Sequence, residues 1–173
     1  KILTADNGRA KVLTYCRDEK SAIKRLVRER DTEIDHWLSE NIDFQFIYTG
    51  LTNNISNCYF FSNSLPWKYD YKNTRMKDWS PKKIVFLNLL IRQFTWPLPY
   101  KSTIVVPLVP LSINEQDKGA IRGYLCIDSP RNFVFNEQFD VDILRGVSDG
   151  LYNIIDLIYD KIKDNNFNYG KKG

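Results

Sequence analysis

Ser102-Thr103-Ile104-Val105-Val106-Pro107-Leu108 and Ile121-Arg122-Gly123-Tyr124-Leu125-Cys126-Ile127-Asp128-Ser129 decide how this chain is read. Both runs are β-branched and apolar, and the polar turn Asn114-Glu115-Gln116-Asp117-Lys118-Gly119 lies between them, which predicts a hairpin. Alternation along the second strand sends Gly123, Leu125 and Ile127 to one face, and Arg122, Tyr124, Cys126 and Asp128 to the other. The first face is apolar and is expected to pack on helices. The second is mixed, as a pocket wall would be. A long helix is expected from about Asn136, because Ile143, Leu144, Val147, Leu151, Ile154, Ile155, Ile158 and Ile162 recur with the helical period.

Working outward, Ser80-Pro81 marks a helix start, with Ser as cap and Pro in the first turn. Ile84, Leu87, Leu90, Ile91 and Phe94 supply its apolar stripe, and it must stop before Pro97. The aromatic run Phe44-Gln45-Phe46-Ile47-Tyr48-Thr49, ending at Gly50, predicts a strand. Its expected hairpin partner is Cys58-Tyr59-Phe60-Phe61-Ser62, across the turn residues Asn53-Asn54 and Ser56-Asn57. Between Asn63 and Trp79 the chain is polar and aromatic without a period, and long irregular segments in compact domains are usually functional or mobile. From Asp18 to Asn41, Ile23, Leu26, Val27, Ile34, Trp37 and Leu38 predict an amphipathic helix. The expected organisation is a lead-in over 1–17, irregular or extended, one domain over 18–163, and a polar, frayed tail over 164–173.

The 173 residues suit one domain with a substantial core. Ten Phe, ten Tyr and four Trp require a large core or a lined cavity. The net charge of +4 is too small and scattered to argue for nucleic acid, which is not expected as a partner. Three cysteines, at 16, 58 and 126, are widely spaced and odd in number, which speaks for reduced thiols in a cytoplasmic protein rather than a disulfide framework. With one histidine, His36, zinc sites and His-based nucleophile schemes find little support. No apolar run reaches the length of a membrane span, and no signal peptide is visible. The chain opens on Lys1, so the expectation is a piece of a longer protein, with an output or membrane domain outside it.

The order of helix, hairpin, long connection with a helix, hairpin and long helix resembles a GAF domain. The likeness is carried by Ser102 to Leu108, which ends in a Pro-Leu pair, by Ile121 to Ile127 with its Gly, and by Phe135, Phe139, Asp140 and Ile143-Leu144 at the entry to the last helix. The resemblance implies an α+β fold: a central antiparallel sheet, terminal helices on one face, and a pocket-forming connection on the other. It also implies a sensory or regulatory role rather than an enzyme, a small-molecule ligand, and a homodimer through the terminal helices. The Asn-Lys-Phe-Asp-Glu pattern of cyclic-nucleotide binders is not found. The placement of Cys58 and His36 does not suit a bilin, and neither a metal nor haem is supported, so the cofactor is unknown. The three cysteines are not clustered as in sulfoxide-reducing members.

The expected ligand-binding residues are Phe61, Trp67, Tyr69, Arg75, Trp79, Tyr124 and Cys126, and packing of the connection onto the sheet explains the same aromatics. Arg92 fits either an anionic group or a solvated helix face. The basic positions between Arg17 and Arg30 are interleaved with acids and read as a solvated helix face. Two alternatives stay open: an enzyme using Asp128, Tyr124 and Cys126 on a small substrate, and a degenerate scaffold that binds nothing.

Overall fold

The computed structural model describes residues 2–6, 9–14, 36–53, 58–76, 79, 87–110 and 121–169. Six strands form one sheet: β1 (Ile2–Asp6), β2 (Arg9–Thr14), β3 (His36–Trp37), β4 (Phe60–Ser62), β5 (Ser102–Leu108) and β6 (Gly123–Ser129), in the order β3-β2-β1-β6-β5-β4. All the pairings are antiparallel. Among the described residues three α-helices accompany it: α1 (Ile42–Thr52), α2 (Leu87–Thr95) and α3 (Glu137–Tyr169). The fold is therefore α+β, built on an antiparallel sheet.

The β5–β6 hairpin forms as expected, with Ser102 opposite Ser129 and Leu108 opposite Gly123. On one face Ile104, Val106, Leu108 and Leu125 pack with Val141, Leu144 and Ile155 of α3. On the other, Val105, Tyr124 and Cys126 meet Phe44 and Ile47 of α1, Phe60 of β4, and Leu65 and Tyr71 of the connection. Both faces of β5 and β6 are thus covered, which is why these strands are apolar almost throughout. Apolar surface removed from water in these two layers stabilises the sheet by about 25 cal/mol per Å².

Asn136 caps α3: its side-chain Oδ1 accepts from the Phe139 N–H at 3.0 Å, and its own N–H donates to Asp140 Oδ2 at 2.7 Å. The helix runs to Tyr169, so the segment expected to fray from Asp164 is helical through that residue. Its apolar stripe divides in two. Val141, Leu144 and Ile155 face the sheet, whereas Ile143, Val147, Ile154 and Leu157 are exposed.

Three expectations are corrected. Residues 44–49 are not a strand but the body of α1, because Phe44, Ile47 and Gly50 fall at steps of three and bury one helical face. The predicted first hairpin therefore does not form, and β4 pairs with β5 instead, Phe60 opposite Val105. Of the two forms expected for the lead-in, irregular or extended, it takes the extended one: β1 and β2 form a hairpin, and β1 pairs with β6, Leu3 opposite Tyr124. Most of the helix expected over 18–41 lies outside the described residues, but its end is the strand β3 and a 3₁₀ turn, Leu38–Glu40. The Ser80-Pro81 start and the 114–119 turn also lie outside the described residues.

Part of the apolar stripe expected for α2 faces outward. Leu90 and Phe94 are exposed and Arg92 is buried, because the irregular connection offers carbonyls that a guanidinium can satisfy and an alkyl chain cannot.

Candidate functional site

The face of the sheet away from α3 carries a buried polar cluster inside an aromatic surround. Asp43, in the first turn of α1, is buried. Its Oδ1 accepts from the Phe44 N–H at 3.0 Å and its Oδ2 from the Tyr71 hydroxyl at 3.1 Å. The phenols of Tyr71 and Tyr100 share a hydrogen bond, and the Asn73 amide donates to the Tyr100 oxygen at 3.3 Å. Burial, then the Asp43 charge, pushes Tyr71 well above the ordinary phenol range. Burial, then the charges of Asp128 and Asp43, does the same for Tyr100.

Tyr124 is the centre of this face. It is 0% exposed and its ring stacks on Phe44 with centroids 4.6 Å apart. Among the described residues its hydroxyl has no hydrogen-bond partner. Burial, with the Asp43 charge next, raises its pKa, so it stays a neutral donor. A buried hydroxyl left without a partner costs about 1–3 kcal/mol, which a ligand atom or a water would recover.

The connection over this face is fixed at both ends. Asn41, just before α1, donates from Nδ2 to the Trp37 carbonyl at 2.5 Å and to Thr74 Oγ1 at 2.7 Å. Its Oδ1 accepts from the Thr74 N–H at 3.3 Å, and the Ile42 N–H donates to the Lys72 carbonyl at 3.2 Å. From the other side, Arg92 is 3% exposed and donates to the carbonyls of Pro66, Lys68 and Tyr69 at 2.9, 2.9 and 3.4 Å. The rings of Tyr69, Trp79 and Trp96 lie 5.0–5.7 Å from its guanidinium carbon. Each such cation–π contact contributes about 0.5–2 kcal/mol. Arg92 is thus neither a solvated residue nor an anion receptor; it is the clamp that gives the connection its shape. Burial lowers its pKa, yet the group remains a cation.

The expected site residues separate into groups. Tyr124 and Cys126 sit in the covered face, packed in the core with Phe44, Ile47 and Phe60. Trp79 packs against that same core and meets Trp96 edge-on at 5.4 Å. Arg75 is partly buried, and its N–H donates to Asn73 Oδ1 at 3.1 Å, beside the cluster. Trp67 and Tyr69 do not roof the sheet with their rings, being 57% and 65% exposed. Phe61 lies on the opposite face with α3, because strand alternation gives Phe60 to one side and Phe61 to the other. Arg122 also departs from its assigned face: Ile121 joins the Tyr124 core, and Arg122 reaches Asp156 of α3 at 2.5 Å, because β6 begins only at Gly123. Asp128, named for the enzyme alternative, accepts the Thr103 hydroxyl at 2.7 Å across the hairpin.

Asp43, Asn73 and Tyr100 were not singled out from the sequence. Reading 44–49 as a strand hid Asp43, whose place in the first turn of a helix is itself favourable for a carboxylate. Among the described residues no three His, Cys, Asp or Glu gather as a metal site, and no helix is long and apolar enough to cross a membrane. Comparison with protein-family models, curated proteins and solved structures gives no match.

Proposed function

We propose that this chain is a small-molecule-sensing or regulatory domain of GAF type, binding its ligand against the Tyr124 face. The observation that carries this reading is the neutral, fully buried Tyr124 hydroxyl, which has no hydrogen-bond partner among the described residues and belongs to the same face as the linked Asp43, Tyr71, Asn73 and Tyr100. A purely structural core has little reason to keep four polar side chains and a spare donor there. The layout supports the same reading: a long terminal helix on one face of an antiparallel sheet, and an irregular, clamped connection on the other. Binding next to Phe44 would act on α1, and through Asn41 on the connection. Differential affinity for the two arrangements would then set the signal.

The outward stripe of α3 supports a homodimer as the means of relay. Ile143, Val147, Ile154 and Leu157 are exposed at steps of four, seven and three, and Gly150 lies between them with no atom within 4 Å of where a Cβ would stand. Ile143→Glu with Ile154→Glu is expected to convert a dimer to a monomer in size-exclusion chromatography.

The test of ligand sensing is a thermal-shift screen of small metabolites on the whole chain, repeated on Tyr124→Phe. A compound that raises the melting temperature of the parent, and raises that of Tyr124→Phe less, supports the reading. Equal shifts in both would refute a role for this hydroxyl. The scaffold alternative is favoured by the tight Phe44–Tyr124 stack, and it predicts no shift with any compound.

A further inference from the structure

The rings over the Tyr124 face include a row that runs inward from the surface, and its two ends carry opposite charge. Trp79 is partly exposed and meets Trp96 edge-on, centroids 5.4 Å apart. Trp96 lies 6.1 Å from Tyr71, which is buried. Indoles and phenols are the aromatic side chains that give up a single electron most readily, and here three of them are successive neighbours. Beyond Tyr71 the next ring is Phe60, centroids 6.0 Å away, and a plain phenyl ring gives up an electron far less readily. The row therefore opens at Trp79 and ends at Tyr71.

The Arg92 guanidinium carbon stands 5.0 Å from the Trp79 ring and 5.7 Å from that of Trp96. A fixed cation attracts the neutral indoles but opposes positive charge on either of them, the more so out of water. At the other end, the Tyr71 hydroxyl donates to Asp43 Oδ2 at 3.1 Å, and Asp43 is buried. A phenol becomes a much stronger acid when it loses an electron, and a carboxylate stands within hydrogen-bond reach to take the proton. Burial, then the Asp43 charge, keeps Tyr71 protonated at neutral pH, so its oxidation must move that proton. Tyr100 shares a hydrogen bond with Tyr71 and accepts one from Asn73 but, among the described residues, bonds to no carboxylate.

We infer that Trp79, Trp96 and Tyr71 form a path for oxidising equivalents, on which a diffusible one-electron oxidant, such as a peroxide-derived radical, is reduced at Trp79 and the electron vacancy settles on Tyr71. The oxidant gains one electron from Trp79, Trp96 refills Trp79, and Tyr71 refills Trp96. The Tyr71 O–H bond breaks, and its proton forms a new O–H bond at Asp43 Oδ2. The products are a neutral phenoxyl radical and a carboxylic acid. The hydrogen bond between them then reverses, with Asp43 donating and Tyr71 accepting. Asp43 belongs to the first turn of α1, so oxidation at the surface alters the contact between the connection and α1, with or without a ligand against Tyr124.

The test is pulse radiolysis of the whole chain with azide radicals, which oxidise tryptophan selectively, followed by the absorption of indolyl and phenoxyl radicals. The expected result is first-order conversion of indolyl into phenoxyl radical, at a rate independent of protein concentration. Tyr71→Phe keeps the ring and removes only the hydroxyl, and Trp96→Phe keeps an aromatic side chain in the row; each is expected to lose this phase. Asp43→Asn is expected to slow it about a hundredfold, the low end of what a positioned base contributes. Tyr59 also donates to a carboxylate, Glu137, but packs on the α3 face, so Tyr59→Phe is expected to convert like the parent. Circular dichroism verifies that each variant is folded. The inference is overturned if the parent shows no concentration-independent phase, if folded Tyr71→Phe or Trp96→Phe retains it, or if Asp43→Asn converts as fast as the parent. Loss of the phase in Tyr59→Phe would overturn it equally.

Discussion

The ring of Phe44 lies on the ring of Tyr124, centroids 4.6 Å apart and planes 27° from parallel, so α1 and β6 meet at a buried phenol whose hydroxyl has no hydrogen-bond partner among the described residues. Phe44 comes from α1 and Tyr124 from β6, and any ligand reaching that hydroxyl must act on this stack. The bare protein accordingly carries an unsatisfied donor that Phe would not have. Tyr124→Phe is expected to leave stability unchanged or raise it by up to about 1 kcal/mol in urea unfolding without ligand, because the desolvation cost of the hydroxyl disappears. A loss above about 1 kcal/mol would mean that the hydroxyl is already satisfied.

Arg92 should be among the least replaceable exposed-looking residues of the sequence. Arg92→Met frees the Pro66, Lys68 and Tyr69 carbonyls and removes the cation between three rings, an expected loss of about 2–4 kcal/mol. Arg92→Lys recovers only part of this, since a single ammonium cannot reach three carbonyls from one plane. Urea midpoints read by tryptophan fluorescence check both, with Trp79 and Trp96 reporting from beside the clamp.

How much of this was legible depended on which residues obey a period. β5, β6 and the start of α3 announce themselves through β-branched runs, a Gly and a capping Asn, and each local preference agrees with its surroundings. α1 was misread because Phe44, Phe46, Ile47 and Thr49 are good strand formers, and only the tertiary burial of Phe44, Ile47 and Gly50 makes them a helix. The β1–β2 hairpin does carry a local signal: Asp6 pairs with Arg9, and Asn7-Gly8 lies between them in sequence, the dipeptide most favoured in two-residue hairpins. Arg92 had no such signal. Its partners are backbone carbonyls of a segment without periodicity, and composition says nothing about where carbonyls point.

The buried phenols predict a specific alkaline response. Tyr71 and Tyr100 have folded pKa values well above 10.0, so above that pH the unfolded chain releases protons that the native state retains. The native state then binds more protons, and stability falls as pH rises, by about 1.4 kcal/mol per pH unit for each such group until its folded pKa is passed. Below that range the stability is fully present. Tyr71→Phe should make the decline between about pH 10 and about pH 11.5 shallower, as measured by urea midpoints. An unchanged slope would show that Tyr71 ionises normally.

Gly50 is required by a close approach rather than by its backbone. A Cβ at this position would overlap the Cys58 sulfur, which is itself buried. Gly50→Ala is expected to cost about 1–3 kcal/mol despite the helix-favouring nature of Ala. Cys58→Ala alone should cost less, and the double variant should be more stable than Gly50→Ala, a non-additivity that thermal unfolding of the four proteins would display. Equal losses adding without coupling would place the sulfur elsewhere.

Native mass spectrometry of the whole purified chain, alongside Tyr124→Phe, bears most directly on the claim that the covered sheet face is a ligand site. The account predicts a dimer carrying an added small mass that is released on denaturation and diminished in Tyr124→Phe. A bare polypeptide mass for both proteins would contradict it.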